Sequence, residues 1–187
     1  MEYSLPKTVN INNREYAIRY DYRSILDILV MLNDPELSSG EKGLILLNIF
    51  YVDPATITDY DTAVKEAFRF IDGGREEIKG KSPRLVDWEQ DLQYIISPVN
   101  RVLGKEIREE NDLHWWTFLS AYMEIGGECL FSQIVSIRDK KSRGKKLEKY
   151  ELEWLKKNRS IVEFKQKFTK DQTDLINQWT GGGDNNA

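Results

Sequence analysis

The stretch DLHWWTFLSAYMEIGGECLFSQIVSIRDKK, residues 112–141, holds the chain's single histidine, His114, and its single cysteine, Cys129. These residue types build thiol hydrolases and zinc sites. A structural zinc ion takes four Cys or His ligands, and the whole chain offers two. A Cys–His hydrolase needs thiol and imidazole to converge, with a third group to orient the base. No nucleophile motif surrounds either residue. His114 is therefore expected in the first turn of a helix capped by Asp112, and Cys129 as a small apolar packing residue.

Other candidate chemistry fails on its surroundings. GGREEIKGK lacks the preceding strand and the Lys-Ser/Thr ending of a phosphate-binding loop. TGGGD, near the C-terminus, has no helix after it to cradle an anion. The carboxylate pairs Glu76–Glu77 and Glu109–Glu110 lie in polar segments, without the burial that tunes a general acid. No catalytic residue, cofactor or metal is expected, and the protein reads as non-enzymatic.

Two features remain for partner binding. Arg138, Lys140, Lys141, Arg143, Lys145, Lys146 and Lys149 fall within twelve residues of a chain whose net charge is -4. Such a run either docks an acidic partner or RNA, or is a solvated helix end whose cations favour the helix dipole. Trp116 follows Trp115, which belongs to an apolar stripe, and is rotated about 100° from it. It either anchors a partner or meets the N-terminal segment.

The elements that position these residues follow from periodicity. Val9 and Ile11 alternate with Thr8 and Asn10, then Asn12–Asn13 interrupts before Tyr16 and Ile18, a hairpin signal within about 8–20. Ile25, Ile28, Leu29 and Leu32 share one helical face until Asp34–Pro35. Ser38 and Glu41 have capping-box spacing. The helix they open is apolar all round and expected to be central and buried. A third helix is expected over 60–72, leaving by a glycine pair, with GGREEIKGKSPR as a hinge. Trp88, Leu92, Ile95, Ile96, Val99, Val102 and Leu103 form a four-turn core stripe, with a kink expected at Pro98 and an end at Gly104. Residues 112–141 read as two helices joined at Gly126–Gly127, and Thr169 is expected to cap a last one.

The expected class is mainly α, with about six to eight helices and an N-terminal β-hairpin. The boundaries expected are a single domain over 1–158, a helical extension over 159–180 and a disordered tail over 181–187. The N-terminus lacks a signal-peptide pattern, and LILLNIF is too short to cross a bilayer. One cysteine fits a reducing compartment, so a soluble cytoplasmic protein is expected.

The 112–141 stretch resembles a family of small siphophage proteins encoded between the major tail protein and the tape measure protein. KTVNINNREYAIRYDYR, DPELSSGEKGLILLNIFY and DWEQDLQYI support the resemblance, which runs to about Asn158. It implies a helical tail assembly chaperone in the host cell cytoplasm. Such a protein coats the tape measure chain before tail-tube polymerisation. The tube protein is a possible second partner, and self-association is possible. The alternative is a nucleic-acid-binding or regulatory phage protein using the 138–149 run, although the acidic net charge argues against nucleic acid. On the chaperone reading, Trp116 and Met123, seven residues apart, are expected to anchor the tape measure chain, with Arg138 and Lys141 fixing its direction.

Overall fold

The computed structural model describes residues 4–75 and 83–174. Glu76–Glu77, most of the expected hinge, the TGGGD segment and the expected disordered tail lie outside the described residues. Among the described residues the chain forms one two-stranded antiparallel sheet and eight α-helices, with a further helical turn at 170–174. This is the mainly helical class expected from periodicity. No helix among the described residues is long and apolar enough to cross a membrane.

Strands β1 (Thr8–Ile11) and β2 (Arg14–Ala17) pair with Ile11 opposite Arg14. Asn12 and Asn13 turn the chain at φ +52° and +64°, the left-handed pair that a two-residue hairpin requires. A lone hairpin is marginal in water, and this one leans on the helices through buried Ile11, Tyr16 and Ile18. Just after it, the Arg19 guanidinium donates to the carbonyls of Asn48, Ile49 and Tyr51 at 2.8, 3.1 and 2.5 Å. A cation there satisfies the acceptors that α2 leaves open at its C-terminal end.

Helix α1 (Tyr22–Leu32) starts at Asp21, whose carboxylate accepts from the Arg23 amide. Helix α2 (Ser39–Phe50) opens in the expected capping box of Ser38 and Glu41. It is not buried all round, however. Leu46, Leu47 and Phe50 face the core, while Leu44 is 58% exposed, because α2 packs chiefly against α1 and α3 on one side. Helix α3 (Tyr60–Ile71) starts at Asp59 and α4 (Trp88–Leu103) at Asp87. Helix α4 continues through Pro98 and ends at Gly104, which takes φ +68°. Its stripe buries Ile95, Ile96 and Val99, but Val102 at the end is 42% exposed.

Four further helices complete the fold: α5 (Trp115–Met123), α6 (Leu130–Ser142), α7 (Lys149–Lys157) and α8 (Arg159–Val162). One large apolar cluster runs from the hairpin to Phe131, with Trp115 and Phe118 at its centre. A smaller one joins Ile134 and Ile137 of α6 to Leu147 and Val162. The chain crosses the expected boundary at 158 without leaving the core, since Val162 is 1% exposed. Thr169 caps the 170–174 turn as expected, trading hydrogen bonds with Gln172.

Candidate partner-binding surface

His114 and Cys129 turn out to hold the same office in successive helices. His114, not Asp112, is the N-cap of α5: its Nδ1 accepts the Trp116 amide at 3.0 Å. Its Nε2 lies 2.9 Å from the Pro6 carbonyl, so the neutral ring that accepts at Nδ1 donates there. Burial against Tyr20 and Phe70 lowers the imidazole pKa below its ordinary 6.5. Asp112 instead accepts the Tyr20 hydroxyl at 3.1 Å. Cys129 is the N-cap of α6, its Sγ 3.4 Å from the Ser132 amide, while the half-buried side chain packs on the main core. The two share no contact, and no metal-binding cluster occurs among the described residues.

The tryptophan pair closes the end of α3. Trp115 Nε1 donates to the Ile71 carbonyl at 2.7 Å and Trp116 Nε1 to the Phe70 carbonyl at 2.8 Å. The Ile71 carbonyl is one that a helix C-terminus leaves without an internal partner, and that of Phe70 also accepts the Gly73 amide at 3.0 Å. Trp115 is buried among Trp88 and Phe118, and Trp116 stacks on Phe70 at 5.6 Å. Helix α5 is thus covered on two sides, and rotation away from one stripe brings Trp116 onto another neighbour. The turn after α3 must admit that ring. Gly74 holds φ +76°, and a Cβ there would stand 3.1 Å from Trp116 Cη2.

Half-buried Trp116 still reaches the surface, where it walls two grooves. One runs beside Pro6, Val9 and Arg69. The other, of about 420 Å³, lies between the end of α4 and α5, lined by Leu5, Val102, Leu103, Trp116 and Ala121. Leu5 and Val102 are 44% and 42% exposed there. Met123 is exposed two turns along from Trp116, and its sulfur accepts from Arg75 at 2.8 Å.

Arg138 is not the surface cation that the run suggested. Its side chain is 4% exposed and faces Asp91, which is fully buried, in a two-point ion pair at 2.5 and 3.0 Å. Its remaining donors go to the carbonyls of Leu85, Ile161 and Val162. Phe164 lies over the guanidinium at 4.1 Å. All five N–H groups are occupied, which removes Arg138 as a docking residue. Lys141 is exposed, 3.5 Å from Glu163. Lys140 pairs with Glu151 and Arg143 with Asp139, at 2.6 and 2.7 Å.

At the turn after α3, Trp116 therefore meets Gly74 and Met123 meets Arg75, whereas Arg138 is buried against α4 and α8 and Lys141 faces Glu163. Sequence reasoning missed the Asp91–Arg138 pair, although a signal existed. Asp91 falls between Trp88 and Ile95 on the α4 stripe, and Arg138 falls seven residues after Phe131 on the α6 stripe. Opposite charges on two core-facing stripes are the mark of a buried pair. No curated protein and no solved structure matches the chain. The family model described as Bacteriophage Gp15 protein matches residues 1–164, and this chain belongs to that family of bacteriophage proteins.

Proposed function

We propose that this protein is a non-catalytic tail assembly chaperone that binds the tape measure protein in the host cytoplasm before tail-tube polymerisation. Family membership supports a phage role. The observation that carries the binding reading is the apolar groove between α4 and α5, with Leu5 and Val102 exposed and the half-buried Trp116 ring in its wall. A long helix-prone chain with exposed apolar stripes aggregates unless they are covered, and such a groove receives side chains at helical spacing. Several copies along one chain gain avidity without strong single sites. Trp116 and Met123 belong to this docking face; Lys141 lies apart from it, and Arg138 has no part in it.

Co-expression with the tape measure protein of the same phage tests the reading. The expected result is a soluble complex that co-purifies. Val102→Glu should abolish that complex while leaving the melting temperature unchanged, because the position is exposed. A tape measure chain that stays insoluble beside the parent protein would overturn the proposal. Retention of RNA or DNA that fades with salt would support the alternative use of the basic run.

A further inference from the structure

Charge is distributed unevenly along the chain. Residues 138–170 carry thirteen Lys or Arg against five Asp or Glu, whereas residues 1–137 carry fourteen against twenty-three. The fold turns that division into two surfaces. On the basic side, α6 and α7 enclose a groove of about 500 Å³ lined by Ser136, Ile137, Tyr150, Trp154 and Glu151, whose carboxylate is paired with Lys140. Tyr150 is 70% exposed and Leu152 44%. Among the described residues Lys145, Lys146, Lys149, Lys156 and Lys157 of this region have no ion pair, against unpaired Glu148 and Glu153.

The acidic side centres on α2 and α3. Residues 34–66 carry seven Asp or Glu and two Lys. Between the helices lies a groove of about 510 Å³ lined by Gly40, Gly43, Leu44, Tyr60 and Val64. Leu44 and Tyr60 are 58% and 55% exposed, and a Cβ on either glycine would meet open space. Glycine inside a helix costs about 1 kcal/mol relative to alanine. Two of them three residues apart leave a bare strip of backbone on a face that no neighbouring element covers. Asp61 lines this groove together with Lys65, and Asp53 follows the end of α2; neither aspartate has an ion pair among the described residues.

Each surface has an apolar centre and an exposed tyrosine, and the segments that build the two carry opposite net charge, plus eight over 138–170 and minus five over 34–66. We propose that the occupant of each is a second copy of this chain, the α6–α7 face of one copy seating on the α2–α3 face of the next. Because the two faces differ, the contact is head-to-tail and leaves a free face at each end. It propagates into a ring or a filament. This inference is independent of tape measure binding, since neither face includes the α4–α5 groove.

Sedimentation velocity on the full chain tests it. The parent should form larger species at about 0.05 M salt and dissociate at about 0.5 M, where screening acts over only a few ångströms. A Lys145→Glu, Lys146→Glu, Lys149→Glu variant and an Asp53→Lys, Asp61→Lys variant should each self-associate at least about tenfold more weakly. Mixing the two should restore association. Arg101→Glu, on neither face, should behave as the parent, and far-ultraviolet circular dichroism should show every variant folded. A parent that stays monomeric at low salt overturns the proposal, as do reversal variants that associate like the parent. A monomeric parent that binds poly-glutamate through the lysine face would also overturn it, naming an acidic partner as the occupant.

Discussion

Replacing Arg138 by Met removes the guanidinium and keeps most of the side-chain length. It leaves the Asp91 carboxylate, fully buried, with the Asp87 amide at 2.8 Å as its remaining hydrogen-bond donor. It also strips the carbonyls of Leu85 and Val162 of their side-chain donor and leaves that of Ile161 only Gln90 Nε2, at 3.3 Å. Removing one partner of a buried ion pair costs about 3–5 kcal/mol, chiefly because the survivor stays uncompensated in a poor solvent. The carbonyl losses overlap with that figure, since the opened site admits water. For a chain of this size such a loss lowers the melting temperature by about 6–20 °C.

Urea unfolding followed by tryptophan fluorescence measures the cost, and a second variant assigns it. Asp91→Leu with Arg138→Met exchanges the pair for apolar side chains and leaves no buried charge. It should be less destabilising than the sum of the single changes, with a coupling of about 2 kcal/mol or more. Arg138→Lys should fall between parent and Met, because an ammonium cannot hold both carboxylate oxygens and three carbonyls at once. An Arg138→Met midpoint matching the parent's would refute the reasoning, and so would single losses that simply add.

Two further outcomes follow from burial. Ile95→Ala, at a site with no exposed surface, should cost about 2–5 kcal/mol in the same urea assay, and a midpoint equal to the parent's would put the α4 stripe elsewhere. For His114 the folded pKa lies below the ordinary 6.5, so the unfolded chain takes up the proton first as pH falls. Its contribution is intact above the unfolded value and is lost as pH falls through the folded one. The stability gap between the parent and His114→Gln should therefore narrow from pH 7.5 to 5.5; a constant gap would mean that both states take up the proton alike and that folding does not lower the pKa.

What the sequence disclosed and what it hid divide along the range of the interactions. The Asn12–Asn13 turn, the Ser38–Glu41 box and the Gly104 terminus depend on neighbours a few residues away, and all were readable. The cap of α5 was misplaced by two residues because aspartate is intrinsically the better cap. His114 takes the post because Pro6, more than a hundred residues earlier, fixes its other nitrogen. The covered side of Trp116 is hidden from periodicity for a different reason. Amphipathic logic assumes one covered face, and α5 has two. Arg138 is the sharpest case, since the basic run around it drew the eye to its charge. Its place on the apolar stripe of α6 was the better guide. A charge at a core position demands an opposite charge at a facing core position, and Asp91, forty-seven residues earlier, is where the α4 stripe supplies it.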